Sequence, residues 1–355
     1  MTTCPLPHEE TERVLLGHGS GGRLMAELID QVIARELGTR GPLEDAAVLT
    51  AADVGPGGDP VLGPGADLVL STDGFVVTPR FFPGGDIGSL AVHGTVNDLA
   101  MRGARPIALA LAFVVEEGLP VEELRLVTRS AAKAAQDVGV PVVTGDTKVV
   151  GRGAADGLYV TTTGLGVRLP GARPSAAAGR VGDVVLLSGP IGAHGTAILS
   201  AREGLGFEAE IASDSRPLHR LVAAMLDAGG EDVHVLRDPT RGGLASALNE
   251  LAAASGVAVE VVEDDVPVPR AVAAACELLG LDPFHVANEG CLVAFVAPRS
   301  APDVLAAMRA RPEGAGARAV GRVVDGPAGR VTARTLIGST RIVDMLIGEQ
   351  LPRIC

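Results

Sequence analysis

Leu169-Pro170-Gly171-Ala172-Arg173-Pro174-Ser175-Ala176-Ala177-Ala178-Gly179-Arg180-Val181-Gly182 breaks an otherwise regular alternation of helical and strand-like patterns. Its Pro, Ala and Gly content reads as a boundary. Upstream, Leu68-Val69-Leu70-Ser71 predicts a strand ending at Asp73, and the apolar spacing then predicts a helix from about Ile87 to Met101. A strand over Ile107 to Val115, a helix from about Val121 to Val138, and strands around Val140 to Val143 and Leu158 to Val167 follow. Downstream, a second set begins with a strand at Val184 to Leu187. Helices are predicted at about His194 to Arg202, Leu218 to Ala228, Leu244 to Ala254 and Val268 to Leu279, with strands at Val257 to Val262, Leu292 to Val296 and Val320 to Val324. The chain therefore reads as two α/β units in series, of mixed α/β and α+β character. Several strands lie close enough in sequence to pair as hairpins, so mixed sheets are expected.

The 355 residues are enough for two domains. With 47% hydrophobic and 21% charged residues the composition is globular. Only 2% of residues are aromatic, so the cores must be aliphatic and stacking platforms for nucleic acid are not expected. A net charge of −13 gives no electrostatic footprint for nucleic acid or for an anionic membrane. The apolar runs are short, and Met1-Thr2-Thr3-Cys4-Pro5 opens no apolar signal region, which predicts a cytoplasmic protein. Cysteines at 4, 276, 291 and 355 show neither C-x-x-C nor zinc-ligand spacing. Cys276 and Cys291 lie in apolar stretches and read as buried small hydrophobes. Cys355, on Gln350-Leu351-Pro352-Arg353-Ile354-Cys355, stands apart as a tethered thiol that could enter and leave an active site.

From Arg23 to Leu37, Leu24, Leu28, Val32 and Ile33 recur at helical spacing and predict an amphipathic helix. Its entrance, Gly17-His18-Gly19-Ser20-Gly21-Gly22, satisfies G-x-G-x-x-G and could cradle phosphate at a helix N-terminus, or act as a glycine hinge. A nicotinamide-dependent dehydrogenase is one reading of that motif, but it leaves the acidic motifs unexplained. Carboxylates recur at turns and strand ends: Glu44-Asp45, Asp73-Gly74, Asn97-Asp98, Gly145-Asp146-Thr147-Lys148 and Asp238-Pro239-Thr240-Arg241-Gly242-Gly243. Oxygen-only sets of this kind suit Mg²⁺, although any one of them alone reads as a turn or cap. Lys148 is one of only two lysines, the other being Lys133. A compact ammonium there suits phosphate or acid/base work. Glu289, in Asn288-Glu289-Gly290 before an apolar strand, is a candidate general base. His18, His93 and His285 are isolated.

These motifs together resemble the HypE family of hydrogenase maturation proteins, carbamoyl dehydratases in the superfamily of aminoimidazole ribonucleotide synthetase, selenophosphate synthetase and thiamine monophosphate kinase. The resemblance spans nearly the whole chain, including Phe82-Pro83-Gly84-Gly85-Asp86-Ile87-Gly88, Ala287-Asn288-Glu289-Gly290 and, most specifically, Pro352-Arg353-Ile354-Cys355. It implies a two-domain PurM-like fold in which the N-terminal domain joins a second subunit in an interfacial β-barrel. The expected division is a glycine loop and helix at 1–40, an ATP-binding and dimerisation domain at 41–170, a C-terminal α/β domain at 171–335, and a mobile tail at 336–355. The implied cofactors are ATP and Mg²⁺. Asp45, Asp73, Asp98 and Asp238 would hold the metal, with Gly19, Ser20, Gly21, Gly22, Asn97, Asp146, Thr147 and Lys148 completing the nucleotide site. Glu44 stands where related chains often carry one of a pair of aspartates.

The implied catalytic residues are Cys355, Lys148 and Glu289. The implied reaction dehydrates a carbamoyl group on Cys355 at the expense of ATP, yielding a thiocyanate that supplies cyanide to the iron of [NiFe] hydrogenase. Implied partners are a second copy of the chain, the carbamoyltransferase HypF and the HypC–HypD complex. Arg353 is expected to favour a Cys355 thiolate, against the adjacent α-carboxylate. Selenophosphate synthetase is the nearest alternative, but a lysine close behind an N-terminal cysteine is missing. A metallocentre assembly scaffold without ATP turnover is a third reading.

Overall fold

The computed structural model describes residues 22–34, 44–50, 67–205, 211–335, 337–346 and 353–355. Two sheets organise them. The first is built from β1 (Ala47–Leu49), β2 (Leu68–Phe75), β5 (Ala104–Glu116), β6 (Val142–Val150) and β7 (Leu158–Arg168), in the order β1-β2-β7-β5-β6. All neighbours are antiparallel except β5 and β6. A two-stranded ribbon, β3 (Phe81–Phe82) and β4 (Gly85–Asp86), leads from this sheet into the helix that covers it.

That helix, Ile87–Met101, opens on a capping box. The Asp86 carboxylate accepts from Gly88 N (2.7 Å) and Ser89 N (3.2 Å), while Asp86 N donates to Ser89 Oγ (3.1 Å). It is buried almost all round, packing across β2, β7 and β5 on one side and against helix Val121–Val138 on the other. Gly164 makes this close approach feasible, since a Cβ there would lie 2.7 Å from Thr95 Cγ2. We label helix Arg23–Leu28 α1, Ile87–Met101 α2 and Val121–Val138 α3.

The second sheet runs β14-β13-β10-β12-β8-β11-β9. Its strands are β8 (Val184–Leu187), β9 (Val233–Arg237), β10 (Ala258–Val262), β11 (Val293–Val296), β12 (Arg318–Val324), β13 (Val331–Arg334) and β14 (Thr340–Ile342). Of its neighbouring strands only β10 and β13 are parallel. Around it lie α4 (Ala193–Glu203), α5 (His219–Gly229), α6 (Gly243–Ser255), α7 (Arg270–Leu279) and α8 (Ala301–Arg309). Strand alternation divides the core. Val185, Leu187, Val293 and Phe295 face Leu244, Leu248 and Leu251 of α6, whereas Leu186, Ala294 and Val296 face Leu221, Val222 and Met225 of α5 and Val304 and Met308 of α8. Ala100 and Met101, from the end of α2, sit in this second cluster, so the two units share one core.

The mixed sheets and the two-unit arrangement agree with the sequence reading, and with one parallel pair in each large sheet neither is a doubly wound parallel sheet. Strands β1, β3, β4, β9, β13 and β14 and helix α8 were not anticipated. Strand β14 falls at 340–342, within the stretch expected to be a tail, and pairs with β13. The helix expected over Arg23 to Leu37 is α-helical only to Leu28 and continues as a π-helix over Ile29–Ala34. Its apolar stripe is not packed away, with Val32 51% and Ile33 47% exposed. Gly145-Asp146-Thr147-Lys148 lies inside β6 rather than at a turn, and β6 is an exposed edge strand along nearly its whole length.

Candidate active site

Strand β2, the C-terminal half of α2, the segment after β9 and the segment preceding β1 converge on one cleft of about 490 Å³. Asp45, Asp73, Asp98 and Asp238 line it, together with Gly22, Met25, Ile29, Thr240, Arg241 and Glu250. Carboxylate oxygens of Asp45, Asp98 and Asp238 all lie within 4.8 Å of one another, a donor set able to hold a divalent cation. Asp73 stands beside them, accepting a hydrogen bond from Thr95 Oγ1 (2.9 Å), and Asp98 accepts one from Ser71 Oγ (2.7 Å).

So much negative charge in a sheltered space is costly. Burial, opposed by Arg237 and reinforced by Glu44, raises the Asp45 carboxyl to about 6. Burial and then Asp45 raise Asp238 to about 8, while burial and Asp73 push Asp98 well above the usual carboxylate range. A bound cation would reverse this penalty, and the oxygen-only donors fit a hard ion such as Mg²⁺. Among the described residues Arg237 is the cation paired with the cluster, bonding to Asp45 (3.0 Å) and to Glu250 (3.3 Å).

The end of the chain occupies the other side of this site. Arg353, Ile354 and Cys355 lie alongside the residues that follow β2, with Val76 N donating to Cys355 O (3.0 Å) and Thr78 N to Arg353 O (3.1 Å). Ile354 is buried in the cluster that contains Phe75, Phe82 and Ile87. Cys355 is half-buried. Its burial pushes the thiol up to about 12 despite the nearby Arg241 guanidinium, with Glu289, Asp73 and Asp98 adding to the rise. The docked group is therefore a thiol. Arg353 does not supply the balancing charge expected of it: its guanidinium pairs with Asp156 (2.6 Å) and donates to Val76 O (3.1 Å).

Glu289 is buried, and its Oε1 has no hydrogen-bond partner among the described residues. Burial, followed by the charges of Asp238 and Asp214, holds its carboxyl well above the normal range. Arg241 reaches the same space from just before α6. It is solvent-accessible and makes no hydrogen bond or ion pair to the described residues.

The other expected site residues fall elsewhere. Gly19, Ser20 and Gly21 lie outside the described residues. Gly22 does line the cleft, and a Cβ there would meet Leu346 O at 2.4 Å. Asn97 does not line the cleft: its side chain is buried and engaged, donating to Arg216 O (3.1 Å) and Glu289 O (3.4 Å) and accepting from Leu218 N (2.7 Å). Asp146, Thr147 and Lys148 are exposed on β6, with Lys148 paired to Asp146 (2.6 Å), and they do not line this chain's own cleft. Glu44 lines the cleft beside Asp45, but its carboxylate is engaged by an ion pair with Arg102 (2.6 Å), bent too far to be a hydrogen bond, and by bonds accepted from Ser175 Oγ and Ala176 N.

The comparisons with known proteins agree on one relationship. Residues 43–168 match the AIR synthase related protein N-terminal domain, and residues 180–334 match the C-terminal domain of that family. A carbamoyl dehydratase HypE from Bradyrhizobium diazoefficiens is 53% identical over 340 residues, covering 96% of this chain and 95% of the relative. The chain belongs to the HypE family. Among HypE structures, one in complex with ATP superposes with a TM-score of 0.79 at 46% identity, covering 97% of this chain and 100% of the other. A HypE–HypF complex gives 0.82 at 44% identity, covering 90% and 99%.

Two site residues were within reach of the sequence. Arg241 sits in the Asp238 to Gly243 motif, where the carboxylate is the more conspicuous group, and Arg237 ends an unanticipated strand. His194, which touches the tail, carries no sequence signal beyond its place in a helix.

Proposed function

We propose that this HypE family member uses ATP to dehydrate a carbamoyl group carried on Cys355, converting a thiocarboxamide to a thiocyanate. The observation that carries this reading is the docking of Cys355 beside Glu289 and Arg241, adjoining a cleft lined by four aspartates. The carboxamide oxygen is a poor leaving group. Transfer of the γ-phosphoryl of ATP to it creates a phosphate ester, and loss of that phosphate with the two nitrogen protons leaves S–C≡N on Cys355. Catalysis of this class rests on positioning and on charge stabilisation.

Asp45, Asp98 and Asp238, with Asp73 adjacent, would hold Mg²⁺, whose charge would let triphosphate approach this acidic cleft. Arg241, unpaired among the described residues and close to Cys355, is the group available to stabilise charge on the oxygen that receives the phosphoryl group. Glu289 receives a nitrogen proton on its unpartnered Oε1, since a carboxylate whose pKa is raised is the stronger base once ionised. A docked thiol is a poor nucleophile, so the tail is loaded with carbamoyl outside the cleft.

Lys148, Asp146 and Thr147 serve the cleft of a second copy. The exposed β6 edge, with Val143 63% and Val149 71% exposed, supports a homodimer in which these strands meet and close a barrel. HypF supplies the carbamoyl group, and the HypC–HypD complex takes the cyanide to the iron of [NiFe] hydrogenase. Among the described residues no helix is long and apolar enough to cross a membrane.

Intact mass spectrometry after incubation with ATP, Mg²⁺, carbamoyl phosphate and HypF tests the reading. A carbamoyl adduct that converts to a species lighter by one water is expected, and Cys355→Ala abolishes both. An adduct persisting on that variant overturns the assignment.

A further inference from the structure

The tail is held at three consecutive carbonyls. Two of them, those of Arg353 and Cys355, meet backbone N–H groups of Thr78 and Val76. Successive carbonyls of an extended chain point in opposite directions, so that of Ile354 points the other way. There its partner is His194 Nε2, 2.6 Å away. His194 is completely buried, so water cannot take the place of its ring.

The neighbours of the ring fix its hydrogen. The Ile354 carbonyl can only accept, so Nε2 carries the ring hydrogen. In the neutral ring Nδ1 then accepts from the Ser213 hydroxyl (2.7 Å), whose oxygen accepts in turn from Ser215 N (3.1 Å). Phe82 packs edge-on against the ring at 5.6 Å between centroids. The residue between the two serines, Asp214, accepts from Glu289 N (3.1 Å) and Gly290 N (3.0 Å). One tripeptide thus sets the position of Glu289 directly and of the tail through an imidazole. Helix α4 adds a second hold, since Arg202 donates to Arg353 O (2.8 Å) and Thr78 O (2.9 Å).

We propose that His194 is a positioning residue for the reaction: its neutral ring, oriented by Ser213, recognises the Ile354 carbonyl and fixes Cys355 in register with Glu289. This deepens the reading of Cys355 as a carrier and rests on it for its catalytic consequence. The docking claim itself is independent of turnover.

Two measurements on the full chain test it: the rate of iodoacetamide alkylation at Cys355, followed by peptide mass, and single-turnover dehydration of the preloaded carbamoyl adduct. Losing the donor to a buried carbonyl should shift docking by about tenfold or more. His194→Leu, which keeps bulk but donates nothing, is expected to alkylate about tenfold faster and to dehydrate correspondingly slower while accepting carbamoyl normally. His194→Gln, whose amide nitrogen reaches the place of Nε2, should recover most of both rates. Parental rates in His194→Leu, or equal impairment in the Leu and Gln variants, overturn the proposal in favour of simple packing. Should the Leu variant fail to fold, Ser213→Ala decides: alkylation several times faster supports the proposal, and an unchanged rate overturns it. A parent protein that alkylates as described yet never dehydrates carbamoyl refutes the proposed function and leaves the docking role intact.

Discussion

Replacing Asp238 by asparagine should stabilise the metal-free protein, and increasingly so as pH rises. The carboxyl titrates at about 8 in the folded chain against an ordinary value of 3.8. The folded state therefore binds this proton more tightly than the unfolded state. Its favourable contribution is complete below the unfolded value and is lost as pH rises through the folded one. Each unit of difference corresponds to about 1.4 kcal/mol, so the parent carries a penalty of roughly 4 kcal/mol at pH 7. That figure is a ceiling, because Asp45 and Asp98 share the repulsion and titrate together with Asp238. The asparagine side chain has nearly the same shape and no charge to repel. Urea denaturation in EDTA from pH 5 to pH 8 measures the difference. The variant's advantage should be at most about 2 kcal/mol at pH 5 and grow by a few kcal/mol towards pH 8. With Mg²⁺ and ATP the order should reverse, because the parent gains binding stabilisation that the variant loses. An advantage independent of pH, or a variant less stable than the parent at pH 8 in EDTA, would refute the electrostatic account of the cluster.

Three further outcomes are expected. Glu289→Gln should fold normally, since the amide keeps the shape of the buried side chain, and should accept carbamoyl, but single-turnover dehydration should fall by about 10²-fold or more. Glu44→Ala leaves Arg102 buried and unpaired, and should lower stability by about 3 kcal/mol, measured from the urea midpoint. Val143→Glu, near the start of the exposed β6 edge, should leave the monomer folded but shift sedimentation from dimer to monomer and slow dehydration with it.

Much of the fold was legible because the apolar spacing marked its longer elements, and the structure adds caps at the ends that spacing implied. Helix α2 begins where Asp86 and Ser89 form their box, and α3 ends at Gly139, whose φ of 82° suits glycine. Apart from helix α8, the elements that escaped notice are short strands, most of which depend for their identity on partners distant in sequence. Val331–Arg334 is a strand because β10 lies beside it, and Thr340–Ile342 because β13 does. Gly145-Asp146 has turn chemistry, yet its pairing with Leu111 and Ala112 makes it strand.

The aspartate cluster was readable from motifs, since each residue sits at a strand end or helix face that the fold brings together. The roles of Glu44 and Asn97 were not, because both depend on contacts more than fifty residues away: Glu44 on Arg102, Ser175 and Ala176, and Asn97 on Arg216, Leu218 and Glu289. Arg353 misled for the same reason. Adjacency in sequence placed its charge beside Cys355, while Asp156 claims it in space.

The three hydrogen bonds of Asn97 have a mechanical meaning. They rivet the first sheet's central helix to the segment that supports Glu289, and Ala100 and Met101 bury the joint. Among the described residues the spacing of the two units is thus set by a joint that is itself buried. By contrast the last three residues are held to the segment that follows β2 by a few backbone hydrogen bonds, so releasing them would cost far less than parting the units.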